Sequence, residues 1–244
     1  MQIFKTISLK LGGESIKIEF GIPNNDYEKD QMFKFRYDSY LRHDYIDPNE
    51  NGRDVDEFDN GKSTYFIAIV GNKIIGTVRL IKDNYLPTEK DFIFSEPHTM
   101  AVILRDRRAE LSRLIVERYD SKVFIPRHLV LLGLLDVIVE YALKNNLEGG
   151  YSFIKNSLKV KLKSMNFPFY LIDDFKKNYD KGVLLKYFNS KNDKVYPIYF
   201  VTLEIKKYID RFFSNTLLFR RVENNHYYLR HKFLYNILIK INAL

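Results

Sequence analysis

Glu110 and Arg113 stand at the start of an apolar, β-branched run, "AELSRLIVERYD" from 109 to 120. A buried strand offers no water to either charge, so each needs a partner or a task. A carboxylate held in an apolar strand is suited to accept a proton from a substrate group, the work of a general base. Glu110 is the first candidate for such a base. A second polar set surrounds it in the sequence: Asp56 and Asp59 in "DEFD", with Arg36, Arg79 and Arg113. These acids and bases can form a network that fixes the "DEFD" loop over a sheet and leaves one arginine to grip a substrate carboxylate through two hydrogen bonds. The same set also reads as a network that only orders a long loop.

Strand geometry sharpens the question. Side chains alternate with a period of two, so Glu110 and Arg113, three apart, face opposite sides of a regular strand. A β-bulge between or beside them brings both to one face and frees backbone N–H groups, which can hold a developing oxyanion.

The elements that position these residues follow from pattern. Residues 2 to 11 and 15 to 20 alternate as a hairpin around the glycines of "LGGES". After Pro23, cap-competent Asn and Asp residues precede a helix that carries Phe33, Arg36, Tyr37, Tyr40 and Leu41 at helical spacing. Residues 47 to 63 form a long irregular connection, a type that is often functional. "TYFIAIV" and "KIIGTVRLI" are strands joined by "GN". Residues 84 to 104 predict a short helix and a loop, and the run from 109 a central strand. A core helix runs from Pro126 to about Lys144; then come a strand at "GGYSFI", a basic helix at "KNSLKVKLKSM" and a strand at "FPFYLID". "GVLLKYF" and "VYPIYFVTLEI" read as β-rich runs around a turn at 189 to 194, and the remainder, including "HYYLRHKFLYNILIKI", as helix. The pattern predicts one α+β domain over 1–203 and a helical C-terminal extension over 204–244 packed on it.

Composition removes several classes. The 244 residues include no cysteine, which excludes disulfides, thiolate nucleophiles and cysteine zinc sites. The five histidines show no ligand spacing, so no metal is expected, and neither a G-x-S-x-G elbow nor a phosphate-binding glycine loop is present. The start lacks a continuous apolar centre and "HLVLLGLLDVIVEYAL" is interrupted by Gly133, Asp136 and Glu140, so neither a secretory signal nor a transmembrane segment is expected and a cytoplasmic location is. The net charge of +8 favours an acidic partner.

Three segments in order carry a resemblance: Arg36 with Tyr40; "DEFD" followed by "YFIAIVGNKIIGTVRLI" with Arg79; and "ELSR" from Glu110 to Arg113, including Ser112. Over residues 33 to 172 they resemble the acyl-homoserine lactone synthases and the related N-acyl amino acid synthases, a branch of the GNAT superfamily. The resemblance implies a GNAT-like twisted mixed β-sheet with flanking helices, whose two central strands splay apart to admit an acyl-phosphopantetheine thioester. It implies direct attack of an amine on that thioester, with no bound cofactor and no acyl-enzyme. Glu110 and Arg113 would be catalytic, while Arg36, Tyr40, Asp56, Asp59, Arg79 and Ser112 would bind substrate or order the loop.

The sequence has no tryptophan, whereas acyl-homoserine lactone synthases usually carry one after the helix-one arginine, where Tyr45 or Ile46 stands here. That departure points to an N-acyl amino acid synthase with a long-chain acyl donor and an amino acid acceptor; the alternative is a lactone synthase using S-adenosylmethionine. Acyl carrier proteins are acidic, so Arg127, Lys155, Lys159, Lys161 and Lys163 are candidates for docking one, or a solvated helix face. An ordinary acetyltransferase would show an R/Q-x-x-G-x-G/A motif that "VERYDSKVFIPRHLVLLG" lacks. A non-catalytic basic protein binding acyl carrier protein or nucleic acid is the reading from another class; interspersed acids and the lack of a binding motif argue against nucleic acid.

Overall fold

The computed structural model describes residues 1–11, 14–121, 124–179, 182–190, 193–216, 218–223 and 225–229. β1 (Gln2–Leu11) and β2 (Glu14–Ile22) pair antiparallel as their alternation predicts. The glycine turn expected at Gly12 and Gly13 lies outside the described residues. α1 (Asp26–Arg42) starts at Asn25, whose side chain accepts the Glu28 N–H at 2.8 Å. Its buried Met32, Arg36 and Tyr40 recur every fourth position, one stripe turned to the sheet. β3 (Ser63–Val70) and β4 (Lys73–Ile81) form the expected hairpin, with Gly71 at φ 58° supplying the left-handed turn.

Two short helices, α2 (Pro87–Asp91) and α3 (His98–Ala101), flank β5 (Phe92–Phe94) and lead into β6 (Arg108–Val116). α4 (Arg127–Lys144) is the apolar core helix, buried on most of its faces. β7 (Gly149–Lys155), α5 (Asn156–Ser164), β8 (Tyr170–Leu171), β9 (Phe175–Lys177) and α6 (Leu185–Asn189) follow. β10 (Val195–Val201), α7 (Thr202–Phe213), β11 (Phe219–Glu223) and β12 (His226–Leu229) complete the described chain.

Ten strands make one sheet in the order β11-β12-β1-β2-β3-β4-β6-β7-β10-β8, and β5 pairs with β9 as a separate ribbon. β1 with β12 and β6 with β7 are parallel, and the other pairs are antiparallel. The main core lies between the sheet and α4, α5 and α7. Among the described residues no helix is long and apolar enough to cross a membrane.

Two expectations are corrected. Within "GVLLKYF" the residues from Leu185 are helical: Leu184 and Phe188, four apart, are both buried in one aromatic cluster, and a short apolar run does not by itself distinguish helix from strand. Among the described residues after 204, helix extends only to Phe213; β11 and β12 form a hairpin that extends the sheet beside β1, with the Phe219 and Tyr227 rings tilted against Phe213. The helix expected from 230 to 244 lies outside the described residues.

The central pair β6 and β7 is joined only over Arg108–Glu110 and Gly149–Tyr151. Gly150 permits that contact, since a Cβ there would lie 1.7 Å from the Ala109 carbonyl oxygen. Beyond it the two strands part.

Candidate active site

The site is built where β6 leaves β7. In β6, Ser112 pairs with Arg79 and Ile115 with Thr77, so the single residue Val78 faces both Arg113 and Leu114. That is a β-bulge, and Arg113 carries it at φ 54°, a left-handed conformation costly for a residue with a Cβ. The bulge shifts the alternation by one, so Glu110, Ser112 and Arg113 share a face although Glu110 and Arg113 are three apart.

Arg113 is held there by two carboxylates. Its Nε donates to Asp54 Oδ2 at 2.7 Å and its Nη2 to Asp56 Oδ2 at 2.8 Å. Arg36 donates from Nε to Asp54 at 2.8 Å and from both terminal nitrogens to Asp59 at 3.3 and 3.2 Å. Arg79 binds Asp56 in bidentate fashion at 2.6 and 2.9 Å and donates from Nε to Ser112 Oγ at 2.9 Å. Tyr65 donates to Asp59 at 3.0 Å, and the Tyr40 ring lies 5.6 Å from the Arg113 guanidinium carbon.

The electrostatics follow from this packing. Burial works against ionised Asp54, but Arg113 and Arg36 outweigh it and hold the carboxyl at about 2. Asp56 is likewise lowered: burial opposes, and Arg113 and Arg79 prevail. Burial raises the Tyr40 phenol to about 12. Three guanidinium groups thus meet three carboxylates, and every arginine of the network is ion-paired, with Arg113 lining both cavities of the site.

Glu110 sits on the same face but lines neither cavity of the site. It is fully buried, and its Oε2 accepts the Thr88 N–H at 2.7 Å. Burial pushes its carboxyl up to about 8, with the Asp91 charge adding to the rise.

Two cavities meet at Ser112, Arg113, Phe153 and Leu184. One, of about 420 Å³, is polar at its base, where Asp56, Glu57, Arg79, Asp91 and Arg113 face it. The other, of about 220 Å³, runs through the gap between β6 and β7 into apolar surroundings that include Leu131, Leu135, Leu158, Leu162, Phe167 and Ile198.

Of the expected docking residues, Lys163 is exposed and Arg127, Lys159 and Lys161 are half-buried; Lys159 Nζ lies 3.6 Å from the centre of the Tyr196 ring. Lys155 is a correction: it is buried, with Nζ over Tyr45 and Tyr187 at 4.2 and 4.7 Å, because it ends β7 rather than facing out from α5. Asp54 and Asp91 were not among the expected residues. Asp54 precedes Asp56 by two, the spacing that puts two side chains on one side of an extended segment; Asp91 carries no signal in its sequence context.

The autoinducer synthase family model matches residues 23–198, most of the chain and all of this site. The chain belongs to the autoinducer synthase family. It is an N-acyltransferase, moving an acyl group to an amine. An acyl-homoserine-lactone synthase of Dickeya dadantii (strain 3937) is 24% identical over 197 residues, 80% of this chain and 86% of that protein. Among solved structures, the CoA-dependent acyl-homoserine lactone synthase BjaI, with SAM and isopentyl-CoA, has a TM-score of 0.53 at 16% identity, covering 88% of this chain and 92% of that one. FeeM, an N-acyl amino acid synthase from uncultured soil microbes, has a TM-score of 0.50 at 14% identity, covering 79% and 94%. Both share the fold, which is the GNAT-like arrangement that the three motif segments imply.

Proposed function

We propose that this N-acyltransferase takes its acyl group from a phosphopantetheine thioester and gives it to the α-amino group of S-adenosylmethionine, leading to an acyl-homoserine lactone. The observation that carries this reading is the junction of the two cavities. A thioester entering between β6 and β7 would lay its chain in the apolar cavity and its carbonyl beside Ser112 and Arg113, within reach of an amine in the polar cavity.

In this reading the network holds the "DEFD" loop as one wall of the acceptor cavity, and the bulge offers unpaired backbone N–H groups to the oxyanion formed on attack. Glu110, fully buried, accepts the Thr88 N–H and so fixes the start of α2 beside the acceptor cavity. Once the amine is acylated, its neighbouring carboxylate is placed to displace the sulfonium intramolecularly, since a sulfonium leaves as a neutral thioether. In favour of S-adenosylmethionine, the sequence relatives are acyl-homoserine-lactone synthases and the lactone synthase BjaI is described with SAM.

A second acceptor reading, an amino acid that stays open-chain, is favoured by one observation. Tyr45 and buried Ile46 stand where lactone synthases usually carry tryptophan, and Tyr45 sets its edge against Tyr40 and Tyr187. For the donor, the basic side chains of Arg127, Lys159, Lys161 and Lys163, none of them fully buried, favour an acidic carrier protein over coenzyme A.

The test is a product assay with purified protein, acyl carrier protein or coenzyme A thioesters, and S-adenosylmethionine or a mixture of amino acids, read by mass spectrometry. A lactone with S-adenosylmethionine supports the first reading, and an open-chain acyl amino acid the second. With no acylated amine from any pair, acyl transfer at this site is refuted.

A further inference from the structure

The charge balance of the polar cavity singles out one residue. The Arg36, Arg79 and Arg113 guanidinium groups are matched by Asp54, Asp56 and Asp59. Glu57 is matched by Lys90, whose Nζ lies 3.3 Å from its Oε1. Asp91 remains. It ends α2, lines the same cavity as Arg113 and Ser112, and is partly buried. Among the described residues its carboxylate makes no hydrogen bond or ion pair, although burying an unpaired carboxylate is costly unless a ligand completes it.

We propose that Asp91 is the acceptor-binding base: its carboxylate receives the α-ammonium group of the incoming acceptor and takes the first proton from it. This deepens the acyl-transfer reading above and rests on it. An ammonium is the complement this cavity lacks, because each of its arginines is already ion-paired to a carboxylate while Asp91 has no counter-charge. The proton balance closes. One of the three ammonium protons passes to Asp91, and the freed lone pair forms the C–N bond to the thioester carbon. As the C–S bond breaks, a second proton moves from nitrogen to the departing sulfur, which leaves as a thiol. The third stays on the amide, and Asp91 returns its proton to solvent through the open cavity.

The surroundings suit the role. Burial, reinforced by Glu57, moves the Asp91 carboxyl up to about 7, with Lys90 and Arg113 opposing and Asp56 adding to the rise. The charge of Asp91 is felt by Glu110 on β6, and Arg79 on β4 and Tyr179 from the segment after β9 line the same cavity. A base titrating near neutrality exchanges its proton on each turnover without holding it.

The experiment compares wild type with Asp91→Asn, whose cooperative unfolding and melting temperature no lower than that of wild type confirm the fold. In calorimetry, S-adenosylmethionine should bind the variant at least 10-fold more weakly, while 5′-methylthioadenosine, which lacks the amino acid portion, should bind both equally. In the acyl-transfer assay, kcat/KM for the acceptor should fall about 100-fold, and the acid limb of its pH profile near pH 7 should disappear in the variant. Equal S-adenosylmethionine affinity with an unchanged pH profile overturns the proposal, and so does an equal loss for both nucleosides, which would mark Asp91 as structural. Should wild type acylate an amino acid instead, the same comparison is made with that acceptor. A wild type that binds and acylates no α-amine refutes the acyl-transfer reading itself; an active wild type matched by Asp91→Asn refutes only the role of Asp91.

Discussion

Glu110 should make the protein progressively less stable as pH rises from 5 to 8, and Glu110→Gln should remove that loss. The carboxyl titrates near its ordinary value of 4.5 when unfolded and near 8 when folded. Below 4.5 it is protonated in both states and imposes no penalty. Above 4.5 the unfolded chain releases the proton that the folded chain retains, so stability falls with pH until the folded carboxyl also ionises near 8. At about 1.4 kcal/mol per unit, the loss is roughly 3 kcal/mol at pH 7 and levels off at roughly 5 kcal/mol above pH 8. Complete burial means that solvent does not screen this effect. Glutamine keeps the shape and the acceptor for the Thr88 N–H but cannot ionise, so Glu110→Gln should be the more stable protein at pH 7 by about that amount. Asp91, raised to about 7, contributes a second slope of the same sign that persists in the variant, so the difference between the two proteins isolates Glu110. The assay is urea denaturation of both proteins at half-unit intervals from pH 4.5 to 9. Parallel stability curves would show that Glu110 ionises in the folded state without penalty, and the reasoning from its burial would fail.

Three further outcomes follow. Arg113→Gln leaves Asp54 and Asp56 short of a buried cation and should cost about 3–5 kcal/mol in urea denaturation, part of which Asp54→Asn in the same chain should restore by removing the orphaned charge. Leu135→Phe fills part of the apolar cavity and should shift products towards shorter acyl chains by mass spectrometry; the same chain-length distribution as wild type would show that the chain lies elsewhere. Reversing two charges of the basic surface, Lys163→Glu with Arg127→Glu, should raise KM for an acyl carrier protein substrate about 10-fold and abolish its salt dependence, leaving KM for acyl-CoA unchanged.

Much of the site is legible as residue type because charge in an apolar run is conspicuous. Arg36 and Tyr40 share a helix face by their four-residue spacing, and the structure brings both to Arg113. Asp54 has a signal of its own, the alternation with Asp56, that a motif-centred reading of "DEFD" passes over. Lys155 shows the opposite error: a run of lysines suggests one solvated helix face, but Lys155 belongs to the end of the preceding strand and turns beneath two tyrosines. The β-hairpin at 219–229 was hidden because Tyr227 and Leu229 alternate over too few residues to outweigh the helical pattern around them. Asp91 is invisible in sequence because its meaning lies in what does not surround it.

The bulge explains why Glu110 and Arg113 are three apart and why the position is worth its strain. A residue with a Cβ at positive φ costs of order 1–3 kcal/mol, and a regular β6 would avoid that. A regular strand, however, would point Arg113 into the apolar side against α4, leave Asp54 without its second cation and free the "DEFD" loop from the sheet. The bulge instead turns the guanidinium to two carboxylates, whose charge-assisted bonds at 2.7 and 2.8 Å hold the backbone in place. The same kink lies where β6 has already parted from β7, so the backbone that brings Arg113 to the polar cavity also borders the gap leading to the apolar cavity. Loosening Arg113 should therefore disturb acceptor binding and acyl-chain selection together, whereas a change confined to Asp91 should touch the acceptor alone.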